Sequence, residues 1–466
     1  MPKKWTTIPA VAQSLAGAQD TIVALATAPG RSAIAVIRIS GSRALDVAAS
    51  LIEPWPIGGR RVTLCRISDE LEQTIDHGLV TVFPAPDSFT GEDVVEISTH
   101  GGHYVSARLA GALISLGARE AKPGEFTRRA VLNGKLDITQ AEAIGDLIDA
   151  RSRSMHKAAL GQLDGGLSRR IELVRNNLLS IAAMIAYDID FPEEDDGPVS
   201  RERVACETRE LTSSLDKLLA TIPVGEMIRE GAIVVIAGEP NVGKSSLFNA
   251  LLGQSRAIVT EIPGTTRDAI EGFIESANWP LRLVDTAGFR ETHDKIERMG
   301  IEVSEAYLKR AHVILACGDS ESSIGRTLDA LAGKSSAKML HVRTKGDLFT
   351  GGESDDKETS ADILVSAETG AGLKPLLELI DDVLSQSVGS AVVDVPILTR
   401  KRHILAISQA RDELAMFNEL WKTGTLPAPV AAVHLQTATA SLESLIGVVN
   451  TDDVLDRVFS SFCVGK

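Results

Sequence analysis

Four cysteines in 466 residues, Cys65, Cys206, Cys317 and Cys463, are too scattered for a zinc cluster or a disulfide framework, which points to a reducing compartment. They read as small core residues, with Cys463 as a terminal one. Long apolar runs are missing too: none approaches the roughly 18 residues of a membrane span. The opening Met-Pro-Lys-Lys-Trp-Thr-Thr has neither the apolar core nor the cleavage pattern of a signal peptide, so a cytoplasmic address away from membranes is the expectation. Positive charge is also short. Against 63 Asp and Glu stand 48 Lys and Arg, a formal net charge of −15, and this excludes a broad basic surface that grips RNA or DNA unaided. A role on nucleic acid then needs a local basic patch or a partner.

What is present is organised around Gly231 to Ala250, G-A-I-V-V-I-A-G-E-P-N-V-G-K-S-S-L-F-N-A. The β-branched run from Ile233 to Ala237 predicts a buried strand, Gly238 to Ser245 spells G-x-x-x-x-G-K-S, and a helix-like segment follows. In that context the pattern is a P-loop. Its glycines turn backbone amides toward phosphate oxygens, Lys244 supplies a point charge for the β and γ phosphates, and the Ser245 hydroxyl is a magnesium ligand.

The chain is long enough for roughly three domains. Residues 1–20 form a polar, Ala-rich leader, expected to be mobile. From Thr21, two strand-like runs are broken by Pro29-Gly30; strands at Gly78 to Phe83 and Asp93 to Thr99 and a helix from Val105 to Leu116 complete an α+β unit of about 120 residues. His100-Gly101-Gly102-His103 reads better as a tight turn than as a metal site, since no Cys or carboxylate stands at ligand spacing. Arg38 and Glu96 sit in mostly apolar strands, where a charge is costly unless paired, and mutual pairing or an exposed sheet face accounts for them.

From about Pro123 the texture is helical up to Tyr187 and again from Val199 to Arg229. The acidic run between them, Asp188 to Asp196, reads as a solvated turn rather than a metal site. Helical character returns from Leu398 to Ser461, with Pro427 and Pro429 marking a loop. Helices therefore bracket the P-loop section, which predicts one bundle built from two chain segments with a nucleotide domain inserted between them.

Four more elements follow the P-loop. Thr260 to Asp268 is a Thr-rich loop of the kind that orders around magnesium and a γ-phosphate. Leu281 to Val284 is a strand ending in Asp285-Thr286-Ala287-Gly288, where the Asp can hold the magnesium shell. Strands at Val313 to Cys317 and Met339 to Val342 come next, the second ending in Thr344-Lys345-Gly346-Asp347, and Ile363 to Val365 leads to Ser366-Ala367-Glu368. A carboxylate at Asp347 can accept from N1 and the exocyclic amine of guanine, which favours GTP over ATP. Thr344 replaces the Asn of an N-K-x-D element, which predicts weaker guanine binding with selectivity kept. Phe289 stands where a water-orienting Gln often follows D-T-A-G, leaving Glu291, Asp294 and Glu297 as candidates for that task.

Taken together, G-E-P-N-V-G-K-S-S, I-P-G-T-T-R-D, D-T-A-G, the terminal F-C-V-G-K and the upstream F-T-G-E-D, H-G-G and P-G-E-F-T resemble the MnmE (TrmE) family of bacterial tRNA modification GTPases, from Thr21 to Lys466. The resemblance implies a multidomain α/β protein: a flexible leader (1–20), an N-terminal α+β folate-binding and dimerisation domain (21–130), a discontinuous helical bundle (131–228 and 389–466) and an inserted, doubly wound P-loop GTPase domain with a mostly parallel sheet (229–388). It implies a homodimer that works with MnmG, a partner carrying FAD. Together they would build the aminomethyl or carboxymethylaminomethyl group on carbon 5 of the tRNA wobble uridine, the carbon coming from a tetrahydrofolate (5,10-methylene or 5-formyl).

Residue by residue, it implies GTP contacts at Asn241, Val242, Gly243, Lys244, Ser245 and Ser246; at Thr260, Glu261, Ile262, Pro263, Gly264, Thr265 and Thr266; at Asp285, Thr286, Ala287 and Gly288; at Thr344, Lys345, Gly346 and Asp347; and at Ser366, Ala367 and Glu368. Ser245 and Thr266 would hold Mg2+; Asn241, Thr260, Ile262 and Thr265 would hold K+ where other GTPases place an arginine finger. Glu297 aligns with the water-orienting Glu, and Arg38, Glu96, Lys135 and Lys466 with folate-binding positions, which sets aside simple pairing of the first two. Cys463 is left between one-carbon chemistry and packing. Pro263 and Val464, where Ala and Ile are common, are minor departures. A ribosome-assembly GTPase is the main alternative, but it usually carries a basic RNA-binding appendage or a second G domain. A folate-dependent transferase merely regulated by GTP is the other.

Overall fold

The computed structural model describes residues 20–56, 58–190, 201–254, 270–285, 306–348, 361–388, 395–423, 427–447, 458–459 and 462–465. The chain divides into two compact units, one of residues 1–145 with 443–466, the other of residues 146–442.

In the first unit, seven strands form one sheet in the order β3-β4-β5-β6-β2-β1-β7. They are β1 (Ile22–Leu25), β2 (Ile34–Ser40), β3 (Ile52–Glu53), β4 (Thr63–Ser68), β5 (Thr74–Phe83), β6 (Val94–His100) and β7 (Arg119–Glu120). Pairing is antiparallel except for β1 with β7. Alternation sends Ile37, Ile39, Ile67, Val80, Val82, Val95 and Ile97 to one face, where they pack under α1 (Ala44–Ala49) and α2 (His103–Ser115). The two runs around Pro29-Gly30 and the helix before Gly117 are as expected from sequence. Strands β3, β4 and β7 were not; Thr-Leu-Cys-Arg-Ile-Ser of β4 does alternate, but over a length that periodicity barely distinguishes from a loop.

Helices α3 (Glu125–Leu132) and α4 (Ile138–Ile148) follow. Val131, Ile138 and Ala141 bury Phe459 and contact Phe462, so the end of the chain packs into the first unit. Asp20, assigned to a mobile leader, is instead held by Arg119 and Arg129.

The second unit holds helices α5 (Arg153–Leu163), α6 (Gly166–Asp190), α7 (Arg201–Leu219) and α8 (Ile222–Glu230), then a six-stranded sheet, then α12 (Lys401–Thr423) and α13 (Ala428–Ile446). Helices from the two sides of the sheet pack together: the Thr208 hydroxyl of α7 donates to Asn418 Oδ1 of α12 at 2.5 Å, and Arg201 lies 5.6 Å from the Trp421 ring. The predicted two-segment packing is therefore present. Three expectations are corrected. Asp188 to Asp190 continue α6 rather than opening a turn, the rest of the acidic run lying outside the described residues. Pro429 sits in the first turn of α13, where its missing N–H costs nothing. Cys206 is exposed on α7, whereas Cys65 and Cys317 are buried.

The inserted sheet has the order β13-β12-β11-β8-β10-β9. Its strands are β8 (Ala232–Gly238), β9 (Ile270–Glu275), β10 (Pro280–Asp285), β11 (Val313–Gly318), β12 (Lys338–Arg343) and β13 (Ile363–Leu364), all parallel except β9 against β10. Residues 232–237 and 313–318 are buried throughout, the mark of central parallel strands covered on both faces. Helices α9 (Lys244–Gln254), α10 (Glu321–Leu331) and α11 (Leu373–Val388) accompany it. Strand order reverses beside β8, which places a ligand crevice at its C-terminal end.

Candidate functional site

At that end the chain turns from β8 into α9. Asn241 and Gly243 take left-handed φ values of 62° and 97°, the first tolerable for Asn and the second natural for Gly, so the loop curls back over the helix N-terminus. Lys244 is buried and donates from Nζ to Glu239 O at 2.8 Å. The Ser245 hydroxyl donates to Asp285 Oδ2 at 2.7 Å, joining the P-loop to the end of β10. Glu239 is anchored by a bidentate pair with Arg326 of α10 (2.7 and 2.8 Å) and by the Ser323 hydroxyl at 3.0 Å. The Arg326 and Ser323 hydrogen bonds draw the Glu239 carboxyl down to about 2. No sequence motif announces this anchor, since Arg326 is one of many helix-surface arginines.

The far side of the cleft is built from the ends of β12 and β13. Thr344 is 5% exposed, and its hydroxyl donates to Val242 O in the P-loop and, at 3.2 Å, to Gly318 O. The hydroxyl retained in place of the Asn amide thus ties two loops together. Lys345, at φ 58°, reaches Asp319 Oδ2 at 3.0 Å, and Asp347 Oδ1 accepts from the Ser366 hydroxyl at 2.6 Å. Asp319 was missed by sequence reasoning; its place just after β11 was the available signal.

These loops enclose a cleft of about 720 Å³, lined by Asn241, Gly243, Lys244, Ser245, Ser246, Thr344, Lys345, Asp347, Ala367 and Glu368 among others. The volume suits a nucleotide-sized ligand. Val242, Gly346, Ser366 and Asp285 do not line it but hold residues that do: Val242 O accepts from Thr344, Gly346 N donates to Val365 O at 2.9 Å, Ser366 braces Asp347, and Asp285 meets Ser245. Ser245 beside Asp285 offers the hard oxygen donors that Mg2+ takes. Thr260, Glu261, Ile262, Pro263, Gly264, Thr265, Thr266, Thr286, Ala287, Gly288 and Glu297 lie outside the described residues, and with them three of the four expected potassium ligands.

A second constellation lies in the first unit. Arg38 on β2 stands opposite Glu96 on β6, with Nε 2.9 Å and an outer nitrogen 2.8 Å from Glu96 Oε1. Mutual pairing, set aside on the resemblance, is therefore what these two residues do here. The guanidinium also lies 5.6 Å from the ring centres of Phe89 and Phe126, and donates to Gly465 O at 3.5 Å. Gly465 adopts φ +98°, and a Cβ there would fall 2.3 Å from Leu25 O, so the tail lies close on β1. Lys135 Nζ donates to Pro86 O at 2.9 Å, Cys463 is exposed with its carbonyl accepting from Gly124 N at 3.3 Å, and Lys466 lies outside the described residues. His100 pairs with Asp76 at 2.9 Å, a partner from the neighbouring strand that spacing along the chain could not reveal. Among the described residues no group of three or more His, Cys, Asp or Glu side chains comes together in a way that could hold a metal ion.

In the same unit Arg129 of α3, 6% exposed, meets Asp20 at 2.7 Å, Glu92 at 3.1 Å and Glu125 at 3.2 Å, and Glu125 is shared with Arg119 at 2.5 Å. Burial resists ionisation of Glu125, but hydrogen bonds from Arg119, the Lys122 amide and Arg129 outweigh it and bring the carboxyl to about 2. This network too was absent from the sequence reading.

A P-loop at the C-terminal end of the central strand, a Ser245–Asp285 contact beside it and a carboxylate braced at the opposite wall define a P-loop GTPase inserted in a helical host. The two flanking parts decide which one. A family model described as "MnmE helical domain" matches residues 138–463, and one described as "GTP-binding protein TrmE N-terminus" matches residues 21–135. The chain is 40% identical over 467 residues to the tRNA modification GTPase MnmE of Moorella thermoacetica, covering 96% of this chain and 99% of that one. Identity is 42% over 453 residues with the protein of the same name from Akkermansia muciniphila (96% and 99% covered) and 38% over 453 residues with that from Aquifex aeolicus (96% and 100%). The chain belongs to the MnmE family.

Proposed function

We propose that this chain hydrolyses GTP in a potassium-dependent manner and, as a homodimer with the FAD-bearing MnmG, modifies carbon 5 of the tRNA wobble uridine with a tetrahydrofolate-derived carbon. The observation that carries the GTPase part is that Ser245–Asp285 and Asp347–Ser366 close opposite ends of one cleft. In this reading Lys244 and the loop amides bind the β and γ phosphates, Asp347 selects guanine, and Glu297 orients the attacking water. Ser245 and Thr266 would hold Mg2+, while Asn241, Thr260, Ile262 and Thr265 would hold K+. Bound there, the cations would supply positive charge against the phosphate oxygens.

For the first unit the reading is folate binding by Arg38, Glu96, Lys135 and Lys466. Support comes from a half-buried guanidinium within 5.6 Å of the Phe89 and Phe126 ring centres and beside the docked tail, with Phe89 partly exposed next to it. The division into residues 21–130, 131–228 with 389–466, and 229–388 is part of the same proposal.

The test is GTP turnover in potassium, sodium and caesium salts at equal ionic strength, alongside nucleoside analysis of tRNA from a deletion strain rescued with the wild type or Glu297→Ala. Turnover that is stimulated by potassium and modified uridine restored only by the wild type are the expected results. Equal turnover in all three salts would remove the potassium role. Modification without hydrolysis would favour a transferase merely regulated by GTP.

A further inference from the structure

Strands β9 and β10 form a hairpin whose open end reaches the nucleotide cleft, through Asp285 on Ser245, and whose turn points the other way. That turn, Ser276-Ala277-Asn278-Trp279, is fastened to α11 by a buried carboxylate the nucleotide chemistry does not use. Asp381 is 4% exposed. Its Oδ1 accepts from the Ser276 hydroxyl at 2.5 Å and its Oδ2 from Asn278 N at 3.1 Å. One helical turn on, the Ser385 hydroxyl accepts from Trp279 Nε1 at 3.1 Å. The same turn is gripped from the helical segment, because Asn278 O accepts from Ser154 N in the first turn of α5 at 3.0 Å. Arg151, just before α5, lies 4.0 Å from Glu275 at the end of β9.

A buried carboxylate is costly unless its lone pairs are met, and here the Ser276 hydroxyl, the Asn278 N–H and, at 3.4 Å, the Asn278 side-chain amide meet them from one tight turn. An apolar residue of the same shape would fill the space without that cost, so packing alone does not account for an acid at this point. What the acid adds is direction: it holds the Asn278 peptide with its N–H toward α11, and its carbonyl is then free to take the Ser154 amide. The hairpin between the two ends is short and ladder-bonded along its whole length, from Pro280 opposite Glu275 to Asp285 opposite Ile270. A displacement of Asp285 is therefore carried to Asn278 with little loss.

We infer that Asp381 is a positioning residue that makes the β9–β10 hairpin a stiff link between the nucleotide cleft and α5, so that the nucleotide state is read out at the Ser154–Asn278 hydrogen bond. This rests on reading the P-loop cleft as a GTP site, and nucleotide binding is measured in the same samples to keep the two apart.

The experiment is hydrogen–deuterium exchange of the full-length chain, following the peptide that contains Ser154, with GDP and with a non-hydrolysable GTP analogue. In the wild type the exchange rate of that peptide is expected to differ about tenfold between the two nucleotides. In Asp381→Asn, which leaves the volume unchanged but places an amide against the Ser276 hydroxyl and the Asn278 N–H, the difference is expected to fall below about twofold while nucleotide affinity changes by less than about threefold. Ser154→Pro removes the backbone donor on α5 and, with it, the Ser154 hydroxyl that lies 3.1 Å from the N-cap Ser152 hydroxyl, a contact that Ser154→Ala removes alone as the control; following the neighbouring residues 155–158, Ser154→Pro is expected to abolish the difference with the Asp381 contacts intact, and Ser154→Ala to keep it. An Asp381→Asn chain that retains the full nucleotide-dependent difference, or a wild type in which exchange ignores the nucleotide although both bind, overturns the inference. Failure of either nucleotide to bind the wild type overturns the GTP reading instead.

Discussion

At the scale of single residues, the wall of the cleft that carries Thr344 and Asp347 separates two roles that the T-K-G-D sequence leaves merged. The Thr344 hydroxyl is spent on the backbone of Val242 and Gly318, so it latches the P-loop, and the proposed selection of guanine is left to Asp347. Asp347→Asn keeps an oxygen for Ser366 but presents an amide to the base. Its GTP affinity should drop about 100-fold or more while xanthosine triphosphate becomes the preferred ligand, measurable by fluorescence titration. An unchanged preference removes Asp347 from the role. At Glu297 the expectation is different in kind: Glu297→Ala should bind GTP normally and turn it over about 100-fold more slowly, as loss of a general base does, and single-turnover kinetics will separate the two. Near-normal turnover would refute the assignment. Asp347 could be placed at the cleft from its motif position alone, and the structure has it in the lining; Asp319 and the Glu239–Arg326 anchor could not, because nothing along the chain marks which strand-end acid or helix-surface arginine faces a loop.

At the scale of elements, α3 shows how a short helix can hinge on charge. Arg129 and Glu125 lie one turn apart on its inner side, and together with Asp20, Glu92 and Arg119 they join the start of β1, the loop before β6 and β7. Because Glu125 titrates near 2 in the folded chain and at 4.5 when unfolded, its ionised form stabilises the fold above about pH 4.5. That contribution fades as pH falls toward 2, where both states are protonated. Denaturant unfolding between pH 6 and 2.5 should show a steeper acid loss in the wild type than in Glu125→Gln; parallel curves would mean the network carries no such energy. The helical segments that bracket the nucleotide section and the buried parallel strands could be read from periodicity and burial-type composition, whereas α1, α10 and α11 were not. The short strands β3, β4, β7 and β9 could not, since two to six residues hold too few periods to distinguish a strand from a loop.

At the scale of the whole molecule, charge constrains the partner. A chain with a net charge of −15 meets a polyanion at a disadvantage, so the chain alone should bind tRNA no better than non-specific affinities of ~10⁻⁴ to 10⁻⁶ M at physiological salt, the partner supplying the rest. Filter binding with and without the partner across a salt series tests this, and tight, steeply salt-dependent binding by the chain alone would contradict it. The sequence by itself determined the P-loop, the order of the nucleotide motifs, the insertion of a sheet domain within helices, and the two strands that carry Arg38 and Glu96. Those features are local: each needs only the residues within one element or turn, where spacing and side-chain chemistry act directly. Only the tertiary structure decided that Arg38 and Glu96 pair across β2 and β6, that the chain's end packs on α3 and α4 beside β1, and that Thr344 latches the P-loop. Each of those joins residues tens to hundreds of positions apart, and which donor meets which acceptor is settled when strands pair and helices pack, not by the order in which they are written.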